Sequence, residues 1–272
     1  MAEETKTYRW NGFAAASFAL GVVLVYLIAM LVNTPAWVLP MRIPGVTFSL
    51  PLDKFALGSV LAAGLAAWGT LRLSHIERHQ GEAADPTTWV LPALVAFAPG
   101  VILRNSPAGS MQWFIPPVFG ALLFAIDAAE AAVHNRSSRG YSIASLWLTG
   151  CAFAFFGVLA YALRVSGTRI YMVLLLLMPW SFFVALRTLN LRHGTNPHYD
   201  WALVIAWALV QVAIGLQYWK LTPGQYAFII SGGLYVLISV VGAILSHVPL
   251  RRAVIEPVLM SILVAFAIIA FA

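Results

Sequence analysis

One stretch of the sequence places three ionisable side chains on a single helix face. Asp127, Glu130 and His134 are separated by three and four residues within an otherwise apolar run, and residues at those spacings lie on the same side of a helix. A carboxylate in the middle of a membrane helix costs about 2.5–3.5 kcal/mol on insertion scales. We therefore expect these acids to face a protein interior or a wet cavity.

The chemistry of these acids is open between three interpretations, and Glu256 in the last apolar run is a further candidate. The first interpretation is a site that binds or couples a proton or cation. The second is a carboxylate–histidine metal site. The third is an ion-pair network in which the acids neutralise Arg72, Arg187, Arg251 or Arg252. No residue cluster identifies a catalytic centre, so catalytic residues stay unknown.

All six histidines fall near ends of apolar runs that we predict to face the cytoplasm. Imidazole can ligate a metal or haem, shuttle protons or bind an anionic headgroup, and histidine is also common at helix ends near lipid phosphates. The candidate metal ligands are His79, His134, His193 and His247. The predicted inner-face cationic cluster comprises Arg72, His79, Arg187, His193, His247, Arg251 and Arg252. Neither HExxH nor zinc-type Cys/His spacing is present, so we predict no cofactor and leave haem or a metal open.

Composition sets the solvent in which these residues must work. The chain has 272 residues, of which 61% are hydrophobic and 10% charged, whereas about 25% of residues are charged in soluble domains. The net charge of +6 lies almost entirely in short loops, as in orientation signals and contacts with anionic lipids. We expect the partners to be the bilayer, anionic headgroups on the inner face and proteins of a membrane complex, with no nucleic acid.

Nine apolar runs are candidates for helices that cross a hydrocarbon core of about 30 Å. Their ranges are 13–33, 55–74, 88–104, 113–134, 142–164, 169–190, 201–220, 225–246 and 252–271. The third is the weakest, because it is short and contains Pro92 and Pro99. The fold class predicted is therefore an all-α integral membrane protein with about nine transmembrane helices.

The loop charges predict an orientation for this helical protein. With the N-terminus inside, ten of the 16 lysine and arginine residues fall on the inner side. The positive-inside rule then favours a cytoplasmic N-terminus and a C-terminus outside. We expect a multi-pass protein of the cell inner (plasma) membrane.

The sequence also predicts an internal repeat. Landmarks recur at a shift of about 113 positions, and they include Arg72/Arg187, His79/His193, Trp89/Trp201, Pro107/Pro223, Gly120/Gly233 and His134/His247. An even number of runs separates equivalent runs, which predicts two parallel halves. The domains expected are 1–54 (a leading helix and a Pro-rich outer loop), 55–164 (a first four-helix repeat) and 165–272 (a second), within one membrane domain.

Two irregular regions bear on function. The loop after the first run, residues 34–54, holds four prolines between alternating apolar residues, and proline blocks continuous helix, so we expect an extended segment at the outer interface. The fourth and eighth runs begin with Pro/Gly interruptions at corresponding places, a feature of transporter sites.

These observations favour a transporter-like or carrier-like module with a polar site near the cytoplasmic face, and lean away from an enzyme. The binding or coupling residues would be Asp127, Glu130, His134 and Glu256. One alternative is a structural or assembly subunit of a larger membrane complex. The other is a membrane-embedded cofactor- or metal-binding enzyme that uses the inner-face histidines.

Overall fold

The structure is a computed structural model that describes residues 11–33, 35, 37–43, 46–76, 87–106, 109–133, 140–167, 170–194, 197–246 and 255–270. These residues form α-helices, a short 3-10 turn (Ser110–Phe114) and one β-hairpin. The helices are α1 (Gly12–Leu31), α2 (Lys54–Ile76), α3 (Val90–Asn105), α4 (Ile115–Val133), α5 (Tyr141–Val165), α6 (Ile170–His193), α7 (Tyr199–Gln217), α8 (Pro223–Leu245) and α9 (Ile255–Ala270).

Seven of the described helices are long and apolar enough to cross a membrane, namely α1, α2, α4, α5, α6, α7 and α8. The helices α3 and α9 have 16 residues each. Such a helix is about 24 Å long, less than a hydrocarbon core of about 30 Å. The helical architecture is confirmed, whereas complete crossing by α3 and α9 stays a prediction.

The Pro-rich loop adds a β-hairpin to the helical architecture. Strand β1 (Trp37–Ile43) pairs antiparallel with β2 (Val46–Leu52), from Trp37 opposite Leu52 to Ile43 opposite Val46. Proline has no N–H to donate, and in a two-stranded hairpin each strand keeps one free edge on which that loss is tolerated. The extended conformation follows from the prolines, but the apolar alternation also carried a strand pattern that the all-α class overlooked.

The chain divides into two compact units, one up to Ala144 and the other from Ser145. In unit 1, α1 packs against α2 and α4, and α3 packs against α2 and α4. In unit 2, α6, α7 and α8 pack against one another and α9 packs against α8. The sequence repeat instead places its division at residue 165, and the repeat itself stays a prediction.

Helix α1 shows how an apolar helix serves two environments. Its buried side holds Ala15, Ala19, Val22 and Tyr26 at helical spacing. Its opposite side exposes Leu20, Leu24, Ile28 and Leu31. A helix that is apolar all round is suited to protein contacts on one side and lipid on the other.

Helix α3 is the most enclosed part of unit 1. Residues on every side of it are buried, including Val90, Leu91, Leu94, Val95 and Leu103. Pro99 lies inside the helix, as the weak third run predicted. Because α3 is covered by its neighbours, its short length and its proline do not leave backbone groups facing lipid.

Candidate polar sites, one in each unit

The two acids of α4 lie on its protein-facing side. Asp127 is 6% exposed and Glu130 is 8% exposed. They continue the buried stripe of Pro116, Gly120 and Leu123 at spacings of three and four residues. The same helical spacing that forms the packing surface of α4 therefore carries both acids into unit 1.

Thr70 on α2 is the polar neighbour of Asp127. Its hydroxyl lies 3.2 Å from Asp127 Oδ1 and 3.0 Å from the Ala66 carbonyl oxygen, one helical turn earlier. Thr70 is itself 6% exposed. The contact joins α2 to α4 through polar atoms in the interior of unit 1.

Arg72, two residues beyond Thr70, faces outwards. Its guanidinium lies 5.3 Å from the centre of the Trp68 ring, and Trp68 in turn makes an edge contact with Phe18 of α1. A cation stacked on an exposed indole is typical of a side chain that reaches towards a membrane interface.

Glu256 belongs to the second polar cluster, which lies in unit 2. Its carboxylate accepts a hydrogen bond from the Tyr235 hydroxyl and lies 3.1 Å from Arg192 Nη2. Arg192 also donates to Ser239 Oγ at 3.4 Å. The side chains of Arg192 and Glu256 are 29% and 50% exposed, so this ion pair is partly solvated.

One sequence interpretation paired the acids Asp127, Glu130 and Glu256 with Arg72, Arg187, Arg251 or Arg252. The described ion-pair partner of Glu256 is Arg192, whereas Arg251 and Arg252 lie outside the described residues, so the wider network stays a prediction. Arg187 is instead 3% exposed within α6, next to the buried residues Thr188 and Asn190. A buried arginine in a membrane helix is costly and is itself a candidate functional residue.

His193 ends α6 and contacts the end of α8. Its Nε2 lies 2.9 Å from the Gly242 carbonyl oxygen and 2.8 Å from Ser246 Oγ. Its Nδ1 lies 3.3 Å from the Leu189 carbonyl oxygen, and its ring centre is 6.4 Å from that of His198. Since both ring nitrogens already face protein oxygens, binding a metal through His193 would break one of these contacts.

The described part of the chain does not itself contain a group of residues suited to bind a metal. Within it, no three histidine, cysteine, aspartate or glutamate residues lie close enough to form a metal site. His79, His134 and His247 lie outside the described residues, as do Arg251 and Arg252. A metal or haem site built from these histidines stays a prediction.

The candidate residues that are described fall into two groups. Asp127, Glu130 and Arg72 belong to unit 1, whereas Arg187, His193 and Glu256 belong to unit 2. A single site at one membrane face that would join them stays a prediction.

Sequence reasoning missed Thr70, Arg192 and Tyr235. Thr70 carried a signal, because it is a lone hydroxyl in an apolar run and precedes Arg72 by two residues. Arg192 was counted only as a loop charge, and Tyr235 only as one of many aromatic residues. The contact of Thr70 joins α2 to α4, 57 residues apart, and those of Arg192 and Tyr235 join α6 and α8 to Glu256 on α9, 64 and 21 residues apart.

The apolar helices and the buried polar residues define a helical membrane protein. Residues 34–271 match the family DUF5656, described as a protein of unknown function, and the chain belongs to this family. The match begins after α1 and takes in the hairpin and the helices α2 to α9. No curated protein and no solved structure matches the chain.

Proposed function

We propose that this protein is a carrier-like membrane module in which Asp127 and Glu130 bind a proton or a small cation. The observation that carries the proposal is the burial of two acids, one turn apart, inside a helix long and apolar enough to cross a membrane. Ionisable groups kept at such positions usually serve ion pathways or proton relays. The remainder of the buried stripe on α4 is apolar.

The contact between Thr70 and Asp127 favours the proton as the bound ion. A threonine hydroxyl has one hydrogen, yet Thr70 Oγ1 lies within hydrogen-bonding distance of two oxygens. The Ala66 carbonyl can only accept a hydrogen bond. When the hydroxyl donates to that carbonyl, a protonated Asp127 can donate to Thr70, and loss of the proton requires the hydroxyl to turn or to share its hydrogen.

Proteoliposomes holding a pH-sensitive dye test this function. We expect proton flux in response to an imposed gradient, abolished by Asp127→Asn and reduced by Thr70→Val. Asp200→Asn is the matched control, because it neutralises an exposed acid in the first turn of α7. Flux equal to that of protein-free vesicles, or flux that survives Asp127→Asn unchanged, contradicts the proposal. If a sodium or potassium gradient drives flux and a proton gradient does not, the bound ion is that cation.

A structural or assembly subunit is the second candidate, and the unit 2 cluster favours it. There the acid Glu256 serves an ion pair with Arg192 and accepts a hydrogen bond from Tyr235, which fixes α9 to α6 and α8. On this account, Asp127→Asn alters stability only, and partner proteins co-purify with the chain in mild detergent. An enzyme or cofactor protein is the third candidate, and it predicts metal or a visible absorbance band in the purified chain.

The placement in the membrane is also proposed, with a cytoplasmic N-terminus, an outer C-terminus and an inner (plasma) membrane location. The exposed Arg72 beside Trp68 then suits contact with anionic headgroups. Labelling of introduced cysteines in intact cells and in broken cells, in a Cys151→Ala background, tests the orientation. Labelling of a cysteine introduced near the C-terminus only after the cells are broken contradicts it.

We further propose that residues 55–164 and 165–272 derive from a duplicated sequence. Helix α3 packs on both α2 and α4, and α7 packs on both α6 and α8. An experimental structure in which α2–α4 and α6–α8 fail to superpose contradicts the duplication.

A further inference from the structure

The hydrogen-bond ladder of helix α3 lacks one donor at Pro99, at a position where water is excluded. Pro99 has no N–H, and a proline ring displaces the carbonyl four residues earlier, here that of Val95. Val95 is fully buried and Pro99 is buried as well. Buried backbone groups need partners, so this position must be supported by a neighbouring helix.

The hydroxyl of Tyr26 on α1 reaches the backbone of α3 next to this position. It donates to the Ala96 carbonyl oxygen at 2.5 Å and lies 3.4 Å from the Phe97 carbonyl oxygen. The N–H of Gly100 approaches the same hydroxyl. In a regular helix the Gly100 N–H would bond to the Ala96 carbonyl, and the tyrosine hydroxyl donates to that same carbonyl.

Helix α2 packs closely against the same part of α3. The Ser59 hydroxyl also contacts Tyr26, and both side chains are buried, Tyr26 at 0% and Ser59 at 1% exposure. A Cβ placed on Gly100 would lie 1.9 Å from Ser59 Oγ and 2.7 Å from the Phe55 carbonyl oxygen. Glycine is therefore required at position 100 for α2 and α3 to approach so closely.

We infer that Pro99–Gly100 is a hinge of α3, and that the Tyr26 hydroxyl holds this hinge in its present geometry by donating to the Ala96 carbonyl beside it. Proline and glycine are the residues at which helices bend. The inference concerns how unit 1 moves and does not depend on the identity of a transported ion.

The C-terminal half of α3 (100–105) is linked by a salt bridge to the segment before α2, and this link transmits such a movement. Arg104, one turn beyond the hinge, forms a salt bridge with Asp53 at 3.2 Å. Asp53 follows strand β2 and its Oδ1 accepts a hydrogen bond from the Ala56 N–H at the start of α2, at 2.7 Å. Bending at Pro99 therefore acts on the junction between the hairpin and α2.

Hydrogen exchange on the full-length protein in detergent micelles tests the hinge, with Tyr26→Phe as the main variant. Removing the hydroxyl should speed exchange of the Gly100–Asn105 amides about fivefold, the factor expected for one ordinary hydrogen bond. Peptides from α4 should be unaffected. Tyr161→Phe, the same change at a half-exposed tyrosine of α5, is the matched control and should alter nothing in α3.

A second background keeps the test decisive. Pro99→Ala restores an N–H and completes the hydrogen-bond ladder of the helix. This change alone should therefore slow amide exchange in the C-terminal half of α3. In the Pro99→Ala background, Tyr26→Phe should have little effect on that exchange. Exchange unchanged by both single substitutions, an equal Tyr26→Phe effect in both backgrounds, or uniform acceleration across unit 1 would overturn the inference.

Discussion

Thr70 Oγ1 lies 3.2 Å from Asp127 Oδ1, and this contact joins α2 to α4 through two side chains that are each 6% exposed. Because both side chains are buried away from water, the strength of this contact depends more on the protonation state of Asp127 than the strength of a surface contact would. Glu130, one turn further along α4, is buried as well.

Thr70→Val tests the contact with a side chain of similar volume that lacks the hydroxyl. Asp127 then loses a polar neighbour in an apolar environment, and we expect stability to fall by about 1–2 kcal/mol. Thr70→Ser keeps the hydroxyl and should retain most of that stability. Thermal unfolding in one detergent measures both variants, and an equal loss for Ser and Val would show that the methyl group, not the hydroxyl, matters.

Gly100→Ala should destabilise unit 1 by about 1–3 kcal/mol, the usual range for overpacking. The reason is the lack of space beside Ser59 and the Phe55 carbonyl. Gly64→Ala on α2 is the control, since a Cβ there meets nothing within 4 Å and alanine favours helix over glycine. Unfolding temperatures that fall equally for both variants would contradict the close approach of α2 and α3.

Arg164→Lys should weaken the link between α5 and the segment after α7. The Arg164 guanidinium donates to Gln217 Oε1 at 2.6 Å and to the Trp219 carbonyl at 2.8 Å, and it lies over the ring of Tyr226. Lysine cannot reproduce this planar set of donors, so we expect a loss of about 1–2 kcal/mol. Arg72→Lys, at an exposed cation, should cost less, and thermal unfolding that ranks them in reverse contradicts the assignment.

Disrupting the Arg192–Glu256 pair should have a small, salt-dependent effect on stability. Partly solvated ion pairs contribute about 0–1 kcal/mol, and salt screens them. A double-mutant cycle with Arg192→Gln and Glu256→Gln, measured at low and high salt, should show coupling that declines with salt. Coupling above about 2 kcal/mol at both salt concentrations would mean that the pair is shielded from solvent.

The sequence predicts the helices better than it predicts their contacts. The first apolar run, 13–33, becomes Gly12–Leu31, and the fifth, 142–164, becomes Tyr141–Val165, because continuous apolar runs of that length have few alternatives in lipid. The inward position of Asp127 and Glu130 follows from their spacing and the cost of facing lipid.

Other features depend on contacts between distant segments. Nothing near Tyr26 in the sequence indicates that its hydroxyl would meet the Ala96 carbonyl 70 residues later. The Arg192–Glu256 pair likewise joins residues 64 apart. The hairpin was missed for a different reason, since its prolines were read as blocking helix without being weighed against strand pairing at a free edge.

The central claim is that Asp127 and Glu130 bind a proton inside the protein. Its most direct test is the reaction of the folded protein with a hydrophobic carbodiimide, which modifies protonated carboxyl groups in apolar surroundings. Mass spectrometry then locates the modified residue at a series of pH values. We predict modification at Asp127 or Glu130 that declines as the pH rises, with Glu256 unmodified beside Arg192. Modification of Glu256 alone, or none on α4 at any pH, would contradict the account.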